Sequence, residues 1–307
     1  MTSYAILTSV AEGLVLGLVC LGVFISFRIL QFPDLTCDGS YALGACVGVA
    51  LVNDGCDPFV GLLFVAISGA LAGSVVAFLH IAFKVPAVVA SILVMTAAYS
   101  VNLLTLGGHP IASIQTATPS LFQTLSAVFE KWHLPIATNG VKILFLLFFS
   151  ISLIIIITLF LRTKLGLGIQ TTGSNPQAAV SQAVSTSLSV WLGLALANGI
   201  IALGGGVYAQ LNRFADVNMG IGTIVAALAG VFIGQAIERF ACKKKHIARM
   251  LLLAVIGAVL YRFSLAITLA LGIPNSMINL MSSVIVCLAV LSPSVHRDIE
   301  RVLKRGT

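Results

Sequence analysis

Arg262 and Glu12 carry charge where charge is hard to keep. Arg262 falls about midway along an apolar run at residues 249–272, and Glu12 lies inside another at residues 5–27. An ionised side chain at such a position is costly unless something pairs with it. Arg262 can hold a solute carboxylate, or it can pair with an internal acid. The structural pair is the expected arrangement, with Glu12 as the candidate partner. Three further carboxylates, Asp34, Asp38 and Asp216, stand at or just before the starts of apolar runs. A carboxylate there can cap the free N–H groups of a helix start, and all three could also line a route.

Bond-breaking chemistry has little to work with. Intramembrane hydrolysis needs a nucleophile and a base on adjacent spans. His109, His133, His246 and His296 fall in loops or tails, and His80, one turn ahead of Lys84, suits an interfacial position. The six cysteines, at 20, 37, 46, 56, 242 and 287, form no C-x-x-C and no Cys/His cluster. They read as small packing residues, with Cys56 the one in a polar loop. No metal or cofactor is expected. The sequence contains no G-x-x-x-x-G-K-[S/T], so the chain cannot hydrolyse ATP through a P-loop, and no enzyme activity is expected of it.

The elements that must position these residues are membrane helices. Of 307 residues 59% are apolar and 9% charged, with a mean hydropathy of +1.09. Soluble domains carry about 25% charged residues, so this chain cannot cover a water-facing surface. One transmembrane domain over residues 1–307 is expected, of all-α class, a polytopic helical bundle. A helix crosses the hydrocarbon core with about 20 apolar residues. Nine runs qualify, at roughly 5–27, 39–53, 59–83, 87–106, 142–161, 188–210, 219–237, 249–272 and 277–292. The second and last are short enough to be half-helices or tilted, which leaves the count between eight and ten. The first run has no basic leader and no small-residue cleavage site, and reads as a retained span.

Charge orients the bundle. With the N-terminus outside and the C-terminus cytoplasmic, thirteen of the 17 Lys and Arg fall inside, among them Lys243, Lys244 and Lys245. Lys131, Lys142 and Arg213 fall outside, as the positive-inside rule requires. The net charge of +7 is thus a topology signal, and no nucleic-acid partner is expected. The longest outside segment, 107–141, holds Pro110, Trp132, His133 and Pro135. It is long enough to meet a partner and too short to be a domain.

Two fragments resemble each other. Phe32-Pro-Asp34-Leu-Thr-Cys-Asp38-Gly39 and Phe214-Ala-Asp216-Val-Asn-Met-Gly220 both read Phe-x-Asp-aliphatic, then a glycine, then a helix rich in Gly, Ala and Val. Five spans lie between them, so they enter from opposite sides, as in an inverted repeat with broken helices. Two ordinary helix starts capped by Asp would look the same. Gly204-Gly205-Gly206, Gly220 and Gly222 suit close helix approach.

The segment 163–187 is the most telling polar stretch, nearly uncharged and on the cytoplasmic side between two spans. Asn175 suits an N-cap and Pro176 the first helical position after Gly173-Ser174. A short helix over 176–184 is expected, with a small-residue face at Ala178, Ala179 and Ala183 that another protein's cleft can close around. A connecting helix lying on the bilayer is the alternative.

The motif Gly-x-x-x-x-x-x-Gly-x-Asn-Pro-x-Ala-Ala at Gly166–Ala179 resembles the cytoplasmic motif of permeases of the branched-chain amino acid and ribose ABC importers. Asn198–Gln210, Phe214–Gly222, Phe32–Ser40, Ile92–Asn102 and Tyr261-Arg262 look closer still to a subgroup of uncharacterised permeases often encoded beside an aromatic-amino-acid-type binding protein. The resemblance covers nearly the whole chain. Two departures, a coupling segment with no basic residue after Asn175 and Leu103-Leu104-Thr105 in place of a more polar stretch after Asn102, bear on the solute more than on the class. The resemblance implies a permease in the bacterial inner membrane that translocates a small solute, an amino acid of aromatic or branched-chain type. It implies a second permease copy, two ATP-binding subunits and an extracytoplasmic solute-binding protein. Gly173, Asn175, Pro176, Ala178 and Ala179 would then form the helix that couples to the ATPase, and Asp34, Asp38, Gly39, Asp216, Gly220 and Gly222 would sit at the broken helices of the pathway. An ion-coupled secondary carrier suits broken helices equally, but it needs titratable core groups, and this sequence holds few.

Overall fold

A computed structural model of the chain describes residues 3–115, 118–131, 138–241, 246–272, 274, 277 and 280–287. Trp132, His133, Pro135, Lys243–Lys245 and part of the ninth apolar run, at 278, 279 and 288–292, lie outside these residues. The described chain is nearly all helical, an all-α polytopic membrane protein. Among the described residues six helices are long and apolar enough to cross a bilayer: Ile6–Ile29, Pro58–Ala82, Ala87–Thr105, Asn139–Leu161, Thr186–Asn212 and Ile247–Ala270. They coincide with six of the nine apolar runs.

In chain order the elements are α1 (Ser3–Val23), a π-helical turn (Phe24–Ile29), α2 (Cys37–Asn53), α3 (Pro58–Ala82) and α4 (Ala87–Thr105). Strand β1 (Ile111–Ser113), α5 (Leu121–Lys131), α6 (Thr138–Leu161), α7 (Lys164–Ser174) and α8 (Pro176–Ser181) follow. The chain continues through α9 (Thr186–Asn212), β2 (Phe214–Asp216), α10 (Thr223–Ala241) and α11 (Ile247–Ala270). Local chemistry starts several of them. Asp57 caps α3 by accepting from Phe59 N at 2.8 Å, with Pro58 at the first helical position. Ser185 caps α9 by accepting from Leu188 N at 3.3 Å.

Burial sorts centre from periphery. The most apolar stretch of the α1 span is 83% buried and that of α9 67%, against 33% for α3 and 28% each for α4 and α6. The outer helices turn Leu63, Leu71, Phe148 and Leu159 outward, the side chains a lipid-facing wall needs. α3 packs along α9, and α11 along α1. Small residues permit these approaches: Gly69 and Gly73 of α3 face the α9 backbone, and Gly13 and Gly17 of α1 face Val259 and Val255 of α11. The tightest crossing is α2 over α9. A Cβ at Gly44 would lie 2.0 Å from the Ala202 carbonyl oxygen, and one at Gly205 would lie 1.9 Å from that of Tyr41.

At one end of the bundle β1 and β2 pair antiparallel, with Ile111 opposite Asp216 and Ser113 opposite Phe214. Asn53 at the end of α2 clamps this pair, donating to Ser113 O at 3.1 Å and accepting from Gln115 N at 3.0 Å. The loop after α4 and the chain after α9 therefore share an end.

Candidate functional site: the junction of two broken segments

Helical structure stops twice inside the bundle. The first stop follows the π-helical turn. Leu30 N and Phe32 N still bond back to Ile25 O and Ser26 O, Gln31 takes a left-handed φ of 55°, and the chain leaves the helix until α2. Asp34 in this stretch is 1% exposed. Its carboxylate accepts from Thr36 N at 2.9 Å and from Asn198 Nδ2 at 2.7 Å. Asn198, fully buried in α9, accepts in turn from Ser40 Oγ at 2.7 Å. A carboxylate, an amide and a hydroxyl thus satisfy one another where all three are buried.

The second stop is β2 and the turns to Gly222. Asp216 accepts from Asn218 N at 2.8 Å, and Gly222 takes φ +82°. This segment descends beside α2, with Ala215, Val217 and Met219 packed on Ala45, Cys46 and Val49. It ends against the start of α2, where a Cβ at Gly220 would lie 1.9 Å from the Asp38 carbonyl oxygen. There the Asp38 carboxylate accepts from Gly222 N at 3.0 Å and Ile224 N at 2.8 Å. A residue in the first turn of α2 therefore supplies the cap of α10, and the free N–H groups of that helix start find a negative charge.

The two helices leave this junction in opposite senses. α2 runs to the strand pair, while α10 runs away from it, antiparallel to α11, which is itself antiparallel to α1. The Asp residues thus differ from the caps expected for them. Thr36 occupies the N-cap of α2 without a side-chain bond, Asp34 is tied to Asn198, and Asp38 caps a helix 184 residues away in sequence. Asp216 orders the turn ahead of α10, so that helix begins at Thr223 instead of the expected 219. Gly39 packs on α4, with Met95 Cα 3.1 Å from where its Cβ would be.

Two cavities flank the 217–222 segment. One, of about 390 Å³, is lined by Asp38, Gly39 and Gly220, by Val217, Asn218 and Ile221, and by Met95, Thr96, Tyr99 and Asn102 of α4. Thr96 and Tyr99 are exposed, so it opens on the outer face of α4, and the buried Asn102 Oδ1 has no partner among the described residues. The other, of about 470 Å³, lies between α1, α2, α9, α10 and α11. Arg262 and Glu12 meet on its wall, 3.4 Å apart and about a third and a quarter exposed.

The segment between α6 and α9 holds two helices where one was expected. Thr163 caps α7, accepting from Gly166 N at 3.3 Å. Gly173 brings α7 onto the π-helical turn, since a Cβ there would lie 2.0 Å from Ile29 O. Asn175 caps α8 by accepting from Gln177 N and Ala178 N, each at 3.1 Å, with Pro176 at the first position. α8 ends at Ser181, short of the expected 184. The expected small-residue face does not form one surface. Ala178 is exposed, Ala179 is fully buried, and Ala183 lies past the helix with φ +57°.

Sequence reasoning passed over Asn198, Tyr41, Tyr208 and Asn102 as members of these sites. A lone amide in an apolar run, as at Asn198 and Asn102, was the available signal.

The family described as the permease component of the branched-chain amino acid transport system matches residues 5–290. A tyrosine transport system permease protein of Clostridioides difficile (strain R20291) is 33% identical over 282 residues, 92% of this chain and 88% of that protein. An uncharacterized protein of Rickettsia prowazekii (strain Madrid E) is 30% identical over 287 residues, 94% of this chain and 97% of that protein. Among solved structures, PsaBC from Streptococcus pneumoniae in complex with Fab aligns with a TM-score of 0.49 at 13% identity, over 93% of this chain and 89% of that one.

Proposed function

Because this chain belongs to the family of branched-chain amino acid transport system permease components, we propose that it carries an aromatic or branched-chain amino acid through the junction of its two broken segments. The chain is the permease subunit of an ATP-binding cassette importer and a multi-pass protein of the bacterial inner membrane. The 33% identity to a tyrosine transport system permease supports the aromatic reading of the solute. The whole chain, 1–307, acts as one membrane domain. Its partners are a separate ATP-binding subunit, an extracytoplasmic solute-binding protein and a second copy of the permease.

The observation that carries the pathway is the cavity beside Asp38, largely apolar with a few polar groups set into its wall. Asp38, Thr96, Tyr99, Asn102 and Asn218 line it, and it opens sideways on a helix face that bears Leu93, Val101 and Leu104. Polar groups facing lipid are costly. A second copy laid on this face would bury them and enclose a channel between this cavity and its counterpart in the second copy. The exchange of packing partners, α3 on α9 and α11 on α1, supports an inverted repeat, with α2 and α10 as the broken helices that rock around Asp38.

The apolar runs support about nine spans, eight to ten, and the charge asymmetry supports an N-terminus outside and a C-terminus in the cytoplasm. The β1–β2 pair then lies outside and α7–α8 inside. Single cysteines in a cysteine-free background at 243–245 should react only from the cytoplasm, and those within 107–141 only from outside. The opposite pattern overturns the orientation and the coupling assignment together.

Gly173, Asn175, Pro176, Ala178 and Ala179 form the coupling element in this reading. Gly173 rests on Ile29, four residues before the bend at Pro33-Asp34, so a push on α8 reaches the first broken segment through α7. Ala178 is the exposed docking position, and Ala179 supports it from beneath. Ala178→Trp should insert normally, lose its co-purifying ATPase and cut uptake by about tenfold or more, as expected at the centre of an interface. Variants that keep a bound ATPase and full uptake would put the coupling contact elsewhere. Uptake by the permease alone, driven by an ion gradient, would overturn the importer reading.

A further inference from the structure

The cavity of about 470 Å³ between α1, α9, α10 and α11 is not used by the pathway just described, yet it is the better furnished of the two. Its size falls within the range of small-molecule sites, roughly 300–1,000 Å³. Three tyrosines line it. Tyr41 and Tyr208 stand with ring centroids 6.0 Å apart and tilted by 51°, and Tyr261, 2% exposed, is held by a hydrogen bond between its hydroxyl and that of Ser282. Such rings offer faces and edges to a flat guest.

Charge of both signs lines the same wall. Arg262 Nη1 reaches Glu12 Oε2 at 3.4 Å, which is longer than a good charge-assisted hydrogen bond. Arg262 Nε is buried without a partner among the described residues. The guanidinium fork is therefore under-used, and Glu12 and Asp216 add two carboxylates. A guest bearing a carboxylate and an ammonium on one carbon, with an aromatic ring beyond, would meet Arg262, Glu12 and the tyrosines at once.

The cavity also has a neighbour on the strand-pair side. A smaller cavity of about 230 Å³, lined by Thr8, Asn139, Lys142, Asn212 and Arg213, shares Glu12 with it. Its two basic residues would draw a carboxylate from the strand-pair end toward Arg262. On the other side Ile221 lines both large cavities, so only the 217–222 segment separates this chamber from the Asp38 junction.

We infer that this chamber is a binding site for a free zwitterionic aromatic α-amino acid inside each permease copy, reached from the strand-pair end. The inference rests on the reading of the chain as an amino acid permease. It adds that the permease itself selects solute.

The test is equilibrium binding of labelled L-tyrosine to the purified full-length permease in detergent, beside tyrosine uptake by vesicles holding the complete transporter. Wild type should bind L-tyrosine, and L-phenylalanine within a few-fold. Tyramine, which lacks the carboxylate, and L-leucine, which lacks the ring, should bind about tenfold more weakly or worse. The double variant Arg262→Gln with Glu12→Gln leaves no unpaired charge, should elute as a folded protein, and should lose at least about tenfold in affinity. If it does not fold, Arg262→Lys and Tyr208→Ala, each keeping the net charge, should show the same loss. A wild type that binds no tyrosine, tyramine or leucine binding as tightly as tyrosine, or folded variants that bind like wild type would each overturn the site. Any of these with tyrosine uptake intact leaves the permease reading standing. A complete transporter that takes up no amino acid overturns that reading instead.

Discussion

Alanine in place of Gly44 is expected to remove most folded permease from the membrane, while alanine at Gly48, one helical turn further along α2, is expected to change little. The two glycines lie on the same face of the same helix. The added methyl at Gly44 would fall 2.0 Å from the Ala202 carbonyl oxygen and 2.7 Å from Ala202 Cα, all backbone of the central helix α9. Backbone cannot rotate out of the way as a side chain can. α2 and α9 must separate, and overpacking of this kind costs about 1–3 kcal/mol or more. At Gly48 the nearest neighbour would be Gly206 Cα at 3.4 Å, an ordinary contact. Membrane-extracted protein from each variant, measured by gel filtration, checks the contrast. Equal yields would mean that α2 does not cross α9 at this point.

Asp38→Ala is expected to abolish uptake, with a smaller loss of folded protein, and Asp38→Asn to fall between alanine and wild type. The carboxylate accepts from both Gly222 N and Ile224 N. Alanine leaves two N–H groups at the start of α10 without an acceptor, at a cost of about 1–3 kcal/mol for each that stays buried. Asparagine keeps one acceptor oxygen but turns an N–H₂ group toward the second donor. It also removes the negative charge that the α10 helix start favours. The comparison separates charge from shape, because the two replacements differ at a single group of atoms. Uptake and thermal unfolding of the detergent-solubilised protein are the measurements. Full uptake by Asp38→Ala would show that the α2–α10 joint is not part of the moving machinery.

The sequence made some of this visible for physical reasons. Arg262 and Glu12 stood out because a charge in an apolar run demands a partner, and they stand 3.4 Å apart. The Phe-x-Asp fragments drew attention to the two places where helices stop. What each Asp does was hidden, because the partners lie 164 residues away for Asp34 and up to 186 for Asp38. No local pattern encodes a cap supplied by another helix. α7 was missed because Gly166, Gly168 and Gly173 argue against a helix, each by about 0.5–1 kcal/mol. Thr163 caps it nonetheless, and the glycines let it lie against Leu161 and Ile29. The three-residue strands β1 and β2 are too short to show alternation. Ala178 and Ala179 are alike in sequence, and only the fold turns one outward and the other in.

The Asp38 joint also sets a timetable for synthesis. Gly222 leaves the ribosome 184 residues after Asp38. At about 5–20 residues per second that is a wait on the order of 10–40 s. During that interval α2, with 17 residues at the short end of what crosses a bilayer, carries an acid whose acceptor bonds are still unfilled. Asp34 waits nearly as long for Asn198. The first third of the nascent chain therefore cannot settle into its final depth alone. It must be sheltered by the insertion machinery, or linger at the interface, until the last third arrives to draw it in. A chain truncated before residue 186 would hold α1 and α3 with neither α9 nor α10 to bring α2 home, and quality-control proteases would meet it as an unfinished membrane protein.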